Sequence, residues 1–197
     1  MKSRANTLMK MQRGVTLIEV LVTLVIISIG LLGTASLQVL SKRSNFESVQ
    51  RTGAAHLAND YLQRMRGNRS ALENYLVDGV LGGTSLGDTP TKDCTAAGVD
   101  CANNELASFD QWQWERQLDG TMERVGTVNT GGLLEPSACV IGPAGGIDGV
   151  YEVAIAWRGS SEHINPTIHD CGEDTGKYGD SNEFRHVLVM QTYIDDN

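Results

Sequence analysis

The stretch Arg13-Gly14-Val15-Thr16-Leu17-Ile18-Glu19-Val20-Leu21-Val22 decides how this chain is to be read. From Val20 through Ser41, 22 consecutive positions carry no charge and are dominated by Leu, Val and Ile, a length sufficient to span a bilayer core as a helix. Glu19 stands at the mouth of that segment. A carboxylate costs roughly 2.5–3.5 kcal/mol near a bilayer centre and less toward the interface, so a compensating partner is expected for it. Lys2, Arg4, Lys10 and Arg13 precede the apolar run, while only Lys42 and Arg43 come closely after it. The positive-inside rule then places Met1 in the cytoplasm and exports the chain beyond Ser41.

A short basic leader ending in Gly14, continued as Gly-Val-Thr-Leu-Ile-Glu-Val-Leu-Val, resembles the type IV prepilins. The resemblance implies that a prepilin peptidase cuts after Gly14 and methylates the new amine, making Val15 the mature N-terminus, where that family usually has Phe. It also implies an assembly role for Glu19, whose carboxylate would lie beside the terminal ammonium of a neighbouring subunit inside a bundle of apolar helices. An ion pair there is weakly screened and an unpaired charge is penalised. A snorkelling acid at the cytoplasmic interface is the plainer alternative. An ordinary signal peptide cut near Gly33-Thr34-Ala35 fits less well, because its apolar core is usually about 7–15 residues and lacks an acid.

The 197 residues divide into an expected leader at 1–14, a transmembrane and filament-core segment at 15–41, and a periplasmic head at 42–197. The head is of a size that ordinarily folds as one domain. The leader carries four bases and no acid, so its removal takes the formal charge from −8 to −12. A net acidic head argues against nucleic acid as a partner. Cys94, Cys101, Cys139 and Cys171 would meet an oxidising compartment and are expected as disulfides. Of the three connectivities that four cysteines allow, Cys94–Cys101 with Cys139–Cys171 is favoured, since the first closes a compact loop.

Helical periodicity continues past the apolar segment through Phe46, Val49, Ala54, Leu57, Tyr61 and Met65. One long helix from Val15 to about Met65 is predicted, ended by Gly67-Asn68 in a left-handed cap. Gly30 and Gly33 interrupt the apolar half at up to about 1 kcal/mol each relative to Ala, and offer either close helix approach or local unwinding. Residues 78–101 are glycine-broken loop. Ser108 with Gln111 three positions on predicts a second helix, stopped at Asp119-Gly120, that lays Phe109, Trp112, Leu118 and Trp114 on a sheet; an exposed aromatic patch for a partner is the alternative. Tyr151, Val153, Ile155 and Trp157 alternate with Glu152, Ala154, Ala156 and Arg158 as in a half-buried strand, and residues 186–194 form the last strand. Thr121–Val128 and Ala138–Ile141 are weaker strand candidates, and 159–183 is a long polar excursion. The fold class is therefore α+β and pilin-like: a long N-terminal helix on a small antiparallel sheet, with disulfide-stapled loops.

No catalytic, metal or cofactor site is expected. His163-x5-His169-x-Cys171 lacks a familiar zinc spacing and its cysteine is already assigned, so His163 and His169 are expected as surface loop residues. Residues 173–183 are acidic but fail the calcium-loop spacing. Ser160, Ser161 and Ser181 lack a nucleophile-elbow context, and neither a phosphate loop nor Cys-x-x-Cys occurs.

Gly30-Leu31-Leu32-Gly33 with Leu37-Gln38, the helix at 54–66 and the Phe109-Asp110-x-Trp112 segment are most similar, within the prepilin family, to the PilV group of minor pilins. The expectation is a minor pilin that primes or caps a type IV pilus. Its implied partners are other minor pilins, the major pilin, the prepilin peptidase, inner-membrane lipid before assembly and a tip-associated adhesin. The implied location is a single pass through the inner membrane, then the pilus at or near its tip. A minor pseudopilin of type II secretion and a membrane-anchored exported enzyme are the alternatives.

Overall fold

The computed structural model describes residues 14–129 and 131–195; the leader bases fall outside them. Two compact units divide the chain, Met1–Ser44 and Asn45–Asn197. Helix α1, Leu17–Gly67, runs through the boundary. In the first unit every described residue is exposed. In the second, α1 buries Gln50, Ala54, Ala58, Tyr61, Leu62 and Met65, the three- and four-residue spacing of one helical face.

Helix α1 does not end in the expected left-handed cap. Gly67 has no positive φ, and Asn68 sits at φ −134° and ψ 57° before a 3₁₀ turn, Arg69–Ala71, and the short helix α2, Leu72–Tyr75. The Asn68 N–H closes the last turn on the Met65 carbonyl at 3.2 Å. Its buried side chain ties the helix end to the head, Nδ2 donating to the Asn103 carbonyl at 2.7 Å and to Tyr75 Oη at 3.3 Å.

Helix α3 covers Asn103–Leu118 and starts five residues before Ser108. Glu105, not Gln111, supplies the return bond of its N-terminus, accepting the Ala102 N–H at 2.9 Å. Ala102 has no side-chain acceptor, so this is half of a capping box. Ser108 lies inside the helix and donates back to the Asn104 carbonyl, while Gln111 donates to Tyr61 Oη. The predicted stop holds: Gly120 takes φ +67°, and a Cβ there would meet the Gly131 carbonyl oxygen at 1.7 Å.

The sheet has three antiparallel strands in the order β3-β4-β5, with β3 at Ser137–Ile141, β4 at Gly149–Arg158 and β5 at Arg185–Ile194. A separate two-residue hairpin pairs β1, Arg124–Val125, with β2, Val128–Asn129. Tyr151, Val153, Ile155 and Trp157 join Tyr61, Met65, Trp114 and Leu118 in one core. Trp114 is fully buried and packs on α1, its ring 4.7 Å from Tyr61 and its Nε1 donating to the Leu57 carbonyl at 2.9 Å.

Strand β4 is not half-buried: Ala154 and Ala156 on its other face are also fully enclosed. The excursion 159–183 supplies that second cover. Cys139 and Cys171 are bonded, as are Cys94 and Cys101, the favoured connectivity. Arg185, fully buried, gathers the excursion by donating to the carbonyls of Pro166, His169 and Cys171 and to Asn165 Oδ1. Burying a guanidinium is tolerable only when its donors are satisfied in this way.

Candidate functional site

The segment singled out by sequence opens α1. Gly14 has open space around it and Val15 is 71% exposed. Thr16 is the N-cap: its Oγ1 accepts the Glu19 N–H at 3.4 Å and its carbonyl accepts the Val20 N–H at 3.3 Å. Thr16-x-x-Glu19 is a capping-box spacing, a signal overlooked in the sequence. Glu19 therefore also lies beside the positive end of the helix dipole, which favours a carboxylate in the first turn whatever else it does.

Beyond it the helix shows a wholly apolar surface. This is one helix long and apolar enough to cross a membrane, with a mean hydropathy of 2.4 over its most apolar window. Its hydroxyls are turned inward on the helix itself: Thr23 donates to the Val20 carbonyl, Ser28 to Leu24, Thr34 to Leu31 and Ser36 to Leu32. Such back-bonding lets polar residues sit in an apolar setting. Gly30 and Gly33 lie within unbroken helix, and a Cβ at either would meet nothing.

In the head, the sharpest electrostatic feature is Glu115, 2% exposed, which sequence reading passed over. Its carboxylate accepts the N–H groups of Gly82, Ser85 and Leu86 and the Ser85 hydroxyl. Burial alone would raise its pKa, but these donors outweigh burial and hold it below the usual carboxylate value. Asp119 beside it accepts from Gly83 and Thr84, so two acids of α3 fix the glycine-rich loop. Neither acid has a signal in its own neighbourhood of sequence, because the donors lie about 30 residues away.

The histidines are less exposed than expected. His169 is half-buried, with Nε2 3.0 Å from Glu152 and Nδ1 accepting the Cys171 N–H. His163 stacks on His186 with ring centroids 4.2 Å apart, and His186 lies 3.6 Å from Glu47. Desolvation lowers the His186 pKa against the opposing pull of Glu47. Among the described residues no group of three metal-ligating side chains forms. In the acidic excursion, Glu173 accepts from Asn165, Asp174 from Asn182, and Glu183 from the Ser181 N–H. Trp112 is half-buried under Arg116 and beside Phe109, so the aromatics of α3 form no broad exposed patch. An open groove of about 570 Å³ lies between the head part of α1 and the 120–133 segment, lined by Phe46, Val49, Leu57, Met122 and Leu133.

An exposed N-terminal apolar helix with an acid in its first turn fits a membrane-anchored chain, and residues 9–35 match the family model described as prokaryotic N-terminal methylation motif. Residues 36–112 match the model described as type IV pilin Tt1218. With the long helix, the three-stranded antiparallel sheet and the two disulfides, the chain is type IV pilin-like in sequence and in fold. No curated protein and no solved structure matches it significantly.

Proposed function

We propose that this chain is a minor pilin of the PilV kind, cleaved after Gly14, methylated at Val15, and incorporated with other minor pilins to prime or cap a type IV pilus. The observation that carries the reading is the exposed Gly14–Glu19 start of a helix whose apolar half is exposed at every described residue. Such a surface needs lipid before assembly and other helices after it. On this reading residues 1–14 are the leader, 15–41 the membrane and filament segment, and 42–197 the exported head. Glu19 meets a neighbour's terminal ammonium, and the glycines at 30 and 33 ease the passage from lipid to filament. The role is structural rather than catalytic, the partners are other pilins and a tip-associated adhesin, and the position is at or near the tip.

Mass spectrometry of the mature chain tests it. N-methylated Val15 as the first residue is expected, together with a low copy number relative to the principal subunit of the same filament. An intact Met1, or a start at Ser36, refutes the reading, and a stoichiometry equal to the principal subunit refutes its minor status.

A further inference from the structure

Strand β5 has one partner, β4, and its other edge is open along its length. The hydrogen-bond pattern shows which groups that edge presents. The N–H and C=O of Ala138 both bond to Leu81, away from β4, and the Val140 carbonyl takes the Val77 N–H on the same side. Alternation in antiparallel ladders then gives β4 its bonds to β3 at Glu152, Ala154 and Ala156, and its bonds to β5 at Tyr151, Val153, Ile155 and Trp157. The β5 residues facing those four are Thr192, Met190, Leu188 and His186, so Val187, Val189, Gln191 and Tyr193 aim their backbone groups outward. Among the described residues no other backbone group bonds to 186–194.

Open edges are ordinarily blunted by Pro, Lys, a bulge or an inward charge. Between Val187 and Tyr193 this one has none of these: Val187-Leu188-Val189-Met190 is uncharged and only half-buried, and pairing with β4 runs without a bulge. By contrast β3, the opposite edge, is covered by the 77–81 segment. The bare edge is therefore confined to one strand.

We infer that the outer edge of β5 is a strand-acceptor site, filled in the assembled filament by an extended segment of another pilin-type chain that extends the head's sheet by one strand. This rests on the pilin reading above. Outward N–H and C=O groups in register along four alternate residues are matched by another extended backbone, the usual logic of sheet augmentation. The charges beside the edge select its occupant. Exposed Arg66 of α1 donates to Thr192 at one end of β5, whereas at the other end His186 faces Glu47 at 3.6 Å with Arg51 also within electrostatic reach, so those two charges offset each other there. A second copy pairing by a two-fold axis would join two chains that each carry a formal charge of −12 once the four-base leader is removed. A segment with apolar residues beside Leu188 and Met190, and a carboxylate toward the Thr192 end where Arg66 lies, fits instead.

Amide exchange of the detergent-solubilised full chain tests the edge itself: Leu188 and Met190 should exchange slowly and Val187, Val189 and Gln191 quickly. Protection of both sets in the isolated chain overturns the open edge. The occupant is tested in native envelopes, with a photo-crosslinking residue in place of Tyr193 in the full chain. An adduct mapped to an extended segment of another pilin-type chain is expected, whereas a two-copy adduct, or one mapped elsewhere, overturns the proposal. Val189→Pro removes an outward N–H that the β4 ladder does not use, and Val189→Lys places a charge at the edge. Each should lower the adduct at least about tenfold while the chain is still cleaved after Gly14. If Val189→Pro fails to fold, Val189→Lys decides. An adduct at the parental level in a folded variant sinks the inference. A cleaved chain that forms no adduct refutes the acceptor edge alone, whereas an uncleaved one refutes the pilin reading.

Discussion

Residues 17–44 and 45–67 belong to one helix, yet nothing in the first set is buried and six residues of the second are. Both parts are helical for local reasons, so helix formation does not distinguish them. Pattern does. Between Val20 and Ser41 the first part carries no charge on any face, which suits surroundings that are apolar on every side. The second confines its buried residues to positions such as 50, 54, 58, 61 and 65, with charges between, which suits a single covered face. The comparison teaches that a helix's address is written in how many of its faces are greasy.

The strongest way to break this comparison is to show that the two parts answer to the same stabilising contacts. Trp114→Ala, which empties the space over Tyr61 and removes the bond to Leu57, should destabilise the head by about 3–5 kcal/mol in chemical denaturation. Ile26→Ala should leave that transition where it is. Equal shifts from the two substitutions would show that the halves are not distinct.

Within the head, the disulfides grade the effect by loop length. Removing Cys139–Cys171, which spans 32 positions, should cost about 3.5 kcal/mol, and removing Cys94–Cys101, which spans 7, about 2.5 kcal/mol on the chain-entropy argument. The reverse order in thermal unfolding would mean that the excursion is held by Arg185 and packing rather than by the bridge.

Glu115→Gln should cost about 1–3 kcal/mol, since a neutral amide accepts fewer bonds and turns a donor toward the loop's own donors. The native carboxylate has a depressed pKa, so its contribution is complete above the unfolded value of about 4.3 and is lost as pH falls through the lower folded value. Stability measured from pH 6 to pH 3 should therefore fall less steeply in the variant. An unchanged slope would remove Glu115 as the cause.

Glu19→Ala marks the small end of the scale for the head. It should move head unfolding by less than about 0.5 kcal/mol, as expected of an exposed side chain away from the core, and leave cleavage intact, while filament incorporation falls. Incorporation at the native level would end the register role and leave Glu19 with its place beside the Thr16 cap.

The long helix, the sheet and the disulfide pairing were legible because each rests on periodicity or on simple spacing. What escaped shares another character. Asn68 ties the end of α1 to Asn103 and Tyr75, and Glu115 anchors a loop about 30 residues away. Arg185 serves carbonyls 14 to 19 residues upstream. The Ser108 capping signal misled because a carboxylate at Glu105 had already fixed an earlier start. Alternation in β4 underestimated burial because small alanines read as a surface face until the excursion is seen to cover them. At the N-terminus the residues of interest were evident, but Thr16 was not, since a cap looks like an ordinary polar residue inside so strong a motif.

Arg185 grips the excursion mostly by its main chain: three of its four acceptors there are peptide carbonyls, which every amino acid provides. The hold is therefore largely indifferent to side-chain identity. Side chains such as Ile164, 91% exposed, and Ile168, 70% exposed, can be exchanged while the sheet beneath stays the same. The same indifference makes Thr167 and Ile168, exposed between the gripped carbonyls of Pro166 and His169, the natural place to introduce a label.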